Sequence, residues 1–345
     1  MVNIELKKGT GLKLLFCAAI LMLLLWSCGK NPLKVDLSGI TEEVSIVRYD
    51  EELFSLGSNP AMEDLIRLRN KYPQFTDLYT HLVLKVGDVT DTSGWFMMRE
   101  FLSDTTTRSV KKMTEKEFAD LEPLKKELIK AFKHYRYYFP GKPLPVVYFT
   151  LSGFNESVFT ADSLVGISLD KYLGRECVWY DMLDLPLYKQ RKMIPEMIPA
   201  EVMYTWGMTE FPIGGEATTL LDYMVYEGKL LYFTHAMLPR TADTLLTGFT
   251  RKQAEWCQRN EASMWNYLVE HQMLFSTRQM DIVRYTSDGP TTNGFPPASP
   301  ARTGAWLGLQ IVKAYLKKNP DITLAQLMGN RNYREILNAA AYAPQ

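Results

Sequence analysis

The sequence predicts an α+β fold that is predominantly helical, with a small mixed sheet packed on a helical body. Apolar residues recur at helical spacing over most of the chain. β-branched and aromatic residues cluster only near residue 46 and between residues 145 and 170, which is enough for three or four strands. A central helix also has the residue layout of a zinc-peptidase helix, so we expect a zincin-like arrangement.

The composition is that of an ordinary globular protein. Hydrophobic residues make up 46% of the chain, and 39 acidic residues balance 39 basic ones. A chain with this balance, and without a basic stripe interleaved with aromatic residues, lacks the surface that attracts nucleic acid. We therefore expect no nucleic-acid partner.

The N-terminal segment predicts a lipoprotein signal peptide. Three lysines precede the apolar run 14–26, which is too short to cross ~30 Å of hydrocarbon comfortably as a helix and has the length of a signal-peptide core. The run ends in Leu25-Trp26-Ser27-Cys28, which resembles a bacterial lipoprotein box whose cysteine is lipidated. An uncleaved signal anchor is the alternative.

Cys28 is therefore expected to attach the chain to a membrane through a lipid. Because Gly29 rather than Asp follows it, and no acidic cluster comes next, we favour an outer-membrane anchor that faces the periplasm. Residues 1–27 would be the signal peptide, 28–40 a tether, and 41–345 a single domain, since no repeat or convincing linker interrupts them.

Apolar spacing and turn signals place the elements of this domain. The helices predicted ahead of the sheet are 50–56, 60–71, 76–86, 96–103 and 114–139. The last of these is predicted to begin at a capping box formed by Thr114 and Glu117.

The strands are predicted in three segments. Residues 43–48 alternate in the manner of an edge strand, and 145–151 form a β-rich run typical of a buried strand. Residues 157–170 have the pattern of a strand, a turn and a second strand.

Everything after residue 180 is predicted to be helix and loop, with the longest loop at 287–299. The helices predicted here are 187–193, 195–206, 219–237, 250–270, 302–318 and 323–329. Gly304 and Gly308 lie one turn apart and would form a smooth strip on which another helix could approach closely.

Two cysteines, Cys177 and Cys257, lie in the predicted domain. In an oxidising periplasm they could form a disulfide, and two separate buried thiols are the alternative. Neither has a histidine near it in sequence, so we expect no thiol catalysis.

The candidate site centres on Ala200-Glu201-Val202-Met203-Tyr204. On a helix Ala200 and Tyr204 share a face with Glu201 beside them, which is the layout of an H-E-x-x-H zinc site. Neither residue can replace imidazole, and no histidine lies four residues from another. We therefore expect no metal and no other cofactor, and hydrolysis by zinc-bound water lacks its first requirement.

Two carboxylates remain at this vestigial site. Glu201 occupies the position of the peptidase general base, and Glu227 lies on the next long helix, where such enzymes often place a third ligand. Because an unpaired buried charge is costly, we hypothesise that both point into one interhelical cavity and pair with Arg302 or Tyr204. The alternative is that Glu201 faces solvent. Trp206 is a candidate lining residue of a cleft that could capture a peptide or an envelope polymer, although aromatic residues at such spacing are more often core.

Motifs along the chain resemble those of the gliding-motility lipoprotein GldB family, from about residue 36 to the C-terminus. They include Lys71-Tyr72-Pro73-Gln74-Phe75, Leu169-Asp170-Lys171-Tyr172-Leu173-Gly174, Glu227-Gly228-Lys229-Leu230-Leu231-Tyr232-Phe233 and Ser299-Pro300-Ala301-Arg302-Thr303-Gly304-Ala305-Trp306-Leu307-Gly308. The resemblance implies a lipoprotein of the gliding machinery or its linked secretion system, or a related envelope role in a cell that does not glide. It also implies other envelope or motility proteins as partners. The family is in turn similar to predicted zinc-dependent peptidases that keep H-E-x-x-H.

Two functional hypotheses follow. The leading one is a non-catalytic scaffold, a pseudo-metallopeptidase in which Ala200, Glu201, Tyr204 and Glu227 are vestigial. The alternative is a hydrolase with a rebuilt or metal-independent site around Glu201 and Glu227.

Overall fold

A small mixed sheet and a larger set of helices make up the structure, as the sequence predicts. The computed structural model describes residues 33–345, so the signal segment and Cys28 lie outside the described residues. Residues Asp36–Gln345 form one compact unit. The predicted fold class, α+β and predominantly helical, is confirmed.

The sheet has four strands in the order β1-β2-β4-β3. The strands are β1 (Ile46–Arg48), β2 (Val146–Thr150), β3 (Val158–Ala161) and β4 (Leu164–Ser168). β2 pairs in parallel with β1 and β4, while β3 and β4 form the predicted antiparallel hairpin. The short first strand lies at one edge, as predicted.

The helices lie in the sequence before β2 and after β4. Those before β2 are α1 (Tyr49–Ser55), α2 (Met62–Lys71), α3 (Pro73–Leu78) with a π turn at Tyr79–Val83, α4 (Thr92–Ser103), α5 (Thr105–Glu117) and α6 (Glu122–Tyr138). Those after β4 are α7 (Val178–Met182), α8 (Leu187–Gln190), α9 (Ile198–Glu210), α10 (Leu220–Met237), α11 (Asp243–Thr247), α12 (Arg251–Arg259), α13 (Glu261–Glu270), α14 (Gln279–Thr286), α15 (Thr303–Lys318), α16 (Leu324–Gly329) and α17 (Tyr333–Ala340). Within residues 33–345, none of these helices has the length and apolar character needed to cross a membrane.

The predicted helix 114–139 is wrong, because the chain forms two helices there. Thr114 lies inside α5, where its hydroxyl donates to the carbonyl of Lys111 at 2.7 Å rather than capping a new helix. α6 begins after a break, with the Asp120 side chain accepting from the Glu122 N–H at 2.9 Å. Pro123 then occupies the first turn of α6, a position where its missing N–H costs nothing, whereas inside a continuous helix it would remove a hydrogen bond.

The predicted helix 250–270 is likewise two helices, divided at Asn260. The Asn260 amide donates to the Trp256 carbonyl at 2.8 Å, and this local side-chain bond competes with the helical ladder. The short helices α11, α14 and α17 were not predicted, since brief segments show the helical period poorly.

Aromatic residues join the sheet to the N-terminal helices. Phe75 stacks on Tyr148 of β2 with ring centroids 4.0 Å apart, and Tyr49 meets Phe75 edge-on at 4.7 Å. Offset stacking and edge-to-face contacts of this kind stabilise a core beyond simple burial. They hold one face of the sheet against these helices.

Helices α10 and α15 approach each other so closely that their contact requires glycine. A Cβ added to Gly228 would lie 2.2 Å from the carbonyl carbon of Gly308, and one added to Gly308 would lie 1.7 Å from the Met224 carbonyl oxygen. Neither distance is possible for a real side chain. The smooth strip predicted from Gly304 and Gly308 is therefore confirmed as a helix contact surface, and it brings Glu227 next to the crossing point.

We expect Gly308→Ala to destabilise the protein by about 3 kcal/mol or to prevent folding, because the two helix backbones would have to separate. Gly215→Ala is the matched control, since a Cβ at Gly215 meets nothing within 4 Å. Its effect should stay within about 0.5 kcal/mol. Denaturant unfolding of the two purified variants measures both, and equal stability would contradict the backbone contact.

Candidate functional site

One face of α9 lines a cavity of about 240 Å³. Ala200, Glu201 and Tyr204 all contribute to this wall, so the helix presents the face that the sequence predicts. Lys192 and Arg302 line other parts of the cavity. The vestigial site is thus a polar cavity, with one carboxyl and two cationic side chains in its walls.

Glu201 is half-buried in this wall rather than fully exposed to solvent, as the alternative had it. The Tyr172 hydroxyl donates a hydrogen bond to one of its oxygens. Burial raises the pKa of Glu201, while Tyr172 and two lysines, Lys192 and Lys171, oppose that rise. Glu201 forms no ion pair among the described residues, so this carboxyl can exchange a proton or accept further donors.

A second cavity, of about 300 Å³, shares part of its wall with the first. Ser157, Lys192 and Glu201 line both cavities. Lys192 is neutralised there, because both oxygens of Asp288 accept from its ammonium at 2.8 Å. Burial still lowers the pKa of Lys192, against the effect of Asp288.

Arg302, Tyr204 and Glu227 form a buried network across three helices. The Arg302 guanidinium donates to Glu227 at 3.0 Å and to the Tyr204 hydroxyl at 3.1 Å. The Tyr204 hydroxyl also donates to the same carboxylate of Glu227. Burial lowers the pKa of Arg302, but Tyr204 and Glu227 outweigh it and raise that pKa overall. Burial, together with Glu227, raises the pKa of Tyr204, so the hydroxyl stays protonated and remains a donor.

The backbone at Arg302 is set for this contact. Arg302 precedes α15 in the left-handed region, with φ 58°, a conformation that costs a non-glycine residue energy and is kept only where its surroundings impose it. The hydrogen bonds of its guanidinium to Tyr204 and Glu227 hold Arg302 in this conformation. We call the three side chains of Arg302, Tyr204 and Glu227 the latch.

The structure separates the predicted site residues into two groups. Glu201 lines the cavity, whereas Glu227 is not among its lining residues and is held by Tyr204 and Arg302. The hypothesis that both carboxylates point into one cavity therefore holds only for Glu201. Trp206 does not line the cavity either. It is fully buried against the rings of Phe132 and Tyr135, so its predicted place in a cleft is corrected to the core.

Several side chains of the site were missed in the sequence. Tyr172 and Lys171 come from a 3-10 turn that directly follows β4, and Asp288 comes from the long loop 287–299. The sequence did contain a signal for this turn, because the turn lies in one of the motifs that resemble those of a known family. Nothing in the spacing linked Lys192 to Asp288, which are 96 residues apart.

Asp170 positions the loop that closes the second cavity. It is fully buried, and its carboxylate accepts from the backbone N–H of Ser152 at 3.0 Å and of Phe154 at 2.7 Å. Burial raises the pKa of Asp170, and these two N–H groups oppose the rise. The loop after β2 is thereby held where Asn155 and Ser157 reach the cavity wall.

The remaining candidate ligands are dispersed. Among residues 33–345, no three His, Cys, Asp or Glu side chains are grouped so that they could hold a metal ion. His134 is buried. Cys177 and Cys257 are free, buried thiols, which settles the disulfide question in favour of two separate thiols. Burial raises the pKa of Cys257 to about 12, so this thiol remains protonated.

A comparison with known protein families finds one match that spans almost the whole chain. The profile of the family described as "Gliding motility protein GldB" matches residues 30–344. No curated protein matches the chain, and no solved structure matches it.

We expect removal of one latch partner to destabilise the fold by about 3 kcal/mol or more, because the other charge would stay buried without a counter-ion. The changes are Arg302→Met, Glu227→Gln and the two combined. The double variant should be more stable than the sum of the single losses implies, and denaturant unfolding in a double-mutant cycle measures the difference.

The exposed ion pair of Lys125 and Glu122, with nitrogen and oxygen 3.0 Å apart, is the control for this cycle. Its removal should change stability by at most about 0.5 kcal/mol. Additive losses for Arg302 and Glu227 would contradict a functioning latch.

Proposed function

The chain belongs to the gliding motility protein GldB family, and from this premise we propose that it is an outer-membrane lipoprotein that faces the periplasm and acts as a non-catalytic scaffold. Its proposed organisation is a signal peptide at 1–27, a tether at 28–40 that starts at a lipidated Cys28, and one domain at 41–345. Its proposed partners are other envelope or motility proteins.

The latch is the observation that carries the scaffold proposal. Tyr204 stands where an H-E-x-x-H helix has its second zinc ligand, and its hydroxyl binds Glu227 and Arg302. Glu227 stands where such enzymes often place a third ligand, and it pairs with Arg302. In a zincin-like arrangement, both positions would therefore stabilise the packing of α9, α10 and α15 instead of binding a metal.

A scaffold of this kind works by keeping a fixed shape. The latch joins all three helices, and the glycine contact joins α10 to α15 a second time. Such doubly held helices resist shear, because separating them would expose a buried charge and open a close-packed contact. A rigid domain on a lipid anchor suits assembly with other envelope proteins.

A second candidate function is a hydrolase with a rebuilt site, and Glu201 favours it. A buried carboxyl with a raised pKa beside a cavity is the usual form of a general acid or base. In this alternative Glu201 acts without Glu227, because Glu227 is held in the latch by Tyr204 and Arg302. Metal content separates the scaffold from a metal-dependent form of this hydrolase.

The scaffold proposal predicts that the chain purified from membranes contains no stoichiometric zinc, because Ala200 and Tyr204 offer no nitrogen ligands. Elemental analysis is done on the wild type, on Glu201→Gln and on Glu196→Gln, an exposed carboxylate just before α9 that serves as the control. Zinc at one equivalent per chain that is lost in Glu201→Gln and kept in Glu196→Gln would overturn the scaffold in favour of a metallohydrolase.

The anchor makes a separate prediction. Cys28→Ala should abolish incorporation of labelled fatty acid and release the chain from outer-membrane fractions, whereas Cys17→Ala, inside the signal segment, should do neither. Fatty-acid labelling followed by density separation of the membranes measures both. Label retained in Cys28→Ala would refute lipidation at this residue.

A further inference from the structure

Two adjoining cavities meet at Glu201, and their unmatched charges define a ligand. We propose that together they bind a small zwitterion, a free amino acid or dipeptide, whose ammonium group contacts Glu201 and whose carboxylate contacts Lys171 and Lys189. The inference stands apart from the scaffold role, since none of these three residues belongs to the latch.

Glu201 supplies the site for the ammonium group. Tyr172 donates to one oxygen of its carboxyl, and within residues 33–345 the side chain has no cationic partner in contact. Because Glu201 lines both cavities, a ligand in either one can reach it. Glu201 is half-buried, and withdrawing a carboxylate from water costs free energy unless it is paired. An ammonium group in the cavity supplies such a partner.

Lys171 and Lys189 supply the site for the carboxylate. Both line the second cavity together with Glu201. The Lys171 ammonium donates to the carbonyl of Phe154 at 3.0 Å, and neither lysine forms an ion pair with any carboxylate in the described part of the chain. Asp170, the chain neighbour of Lys171, is committed to backbone N–H groups. Both ammonium groups therefore line the cavity without a direct ion pair, and Glu156 and Glu201 act on Lys171 only at longer range.

The other cationic groups of the two cavities are already matched. Asp288 neutralises Lys192, and Glu227 neutralises Arg302. Glu156 adds one further carboxylate to the wall of the second cavity. A simple anion would leave Glu201 unmatched, and a simple cation would leave Lys171 and Lys189 unmatched. A ligand with both charges satisfies both ends of the site.

Size and titration support the same ligand class. The second cavity, at about 300 Å³, lies at the small end of ligand pockets, which suits an amino acid or a dipeptide. Burial raises the pKa of Glu201 and lowers that of Lys171, so each group is biased towards its neutral form until a ligand charge compensates it. Affinity should therefore fall at acid pH as Glu201 protonates and at alkaline pH as Lys171 loses its proton.

The test uses the full chain purified from membranes in detergent, with alanyl-alanine as the probe and calorimetry as the readout. We expect binding that weakens at least about tenfold when the probe is N-acetylated or when its carboxylate is converted to an amide. The affinity should have an acid limb centred above pH 4.5, the ordinary pKa of Glu.

Three variants assign the two ends of the ligand. Glu201→Gln should weaken alanyl-alanine at least about tenfold, remove the acid limb and abolish the discrimination against the N-acetylated probe. Lys171→Gln should abolish the discrimination against the amide, and Lys189→Gln, at an exposed position, is a second variant of the carboxylate end that should weaken binding without affecting the fold. Lys112→Gln, exposed on α5, is the control and should bind like the wild type.

Three outcomes would overturn the proposal. The first is the absence of binding to the wild type at about 10 mM probe. The second is equal affinity for the blocked and unblocked probes, which would show that the charges are not recognised. The third is unchanged affinity in folded Glu201→Gln and Lys189→Gln, which would place any binding elsewhere on the chain.

Discussion

The contact of α10 with α15 is the constraint on which the second half of the structure depends. Gly228 and Gly308 bring the two helix backbones together at a distance that no side chain tolerates. Glu227 directly precedes Gly228, so the same contact sets how far its carboxylate stands from the start of α15. Arg302 can reach Glu227 because the helices are this close, and its buried charge in turn requires that partner. Backbone packing and ion pairing are thus one coupled feature.

Tyr204 extends this feature to α9. Its hydroxyl donates to Glu227 and accepts from Arg302, so the residue at the second ligand position of an H-E-x-x-H helix becomes a structural link. Glu201, one residue after Ala200, lies on the cavity side of the same helix and stays outside the link. Helix α9 therefore carries Tyr204, whose hydroxyl is hydrogen-bonded within the latch, and Glu201, whose carboxyl is free to bind a ligand or to exchange a proton.

The cavity next to Glu201 is assembled from both halves of the domain. The sheet contributes the turn after β4, which carries Lys171 and Tyr172, and Asp170 holds the neighbouring loop by its backbone. The helical half contributes Lys192 and the Asp288 that neutralises it. The charges left over are of both signs, and this distinguishes the cavity from a simple anion or cation site.

The sequence by itself determined the fold class, the strands, the main helices and the lack of imidazole at positions 200 and 204 of the helix around Glu201. These features follow from local patterns, because apolar spacing and the residue types at ligand positions are properties of neighbouring residues. Helix ends were less certain. The two breaks depended on single residues. Pro123 has no backbone N–H to donate inside a helix, and the side-chain hydrogen bond of Asn260 competes with the helical ladder.

Only the tertiary structure decided which charges meet. The pairing of Glu227 with Arg302, 75 residues away, was hypothesised from the sequence and is present, whereas the pairing of Glu201 with Tyr172, 29 residues away, was not foreseen. Trp206 was expected in a cleft and lies in the core. Whether a given face of a helix lines a cleft or the core is decided only by how the neighbouring helices pack. Electrostatic partners depend on distance and burial, and these are properties of the packed chain.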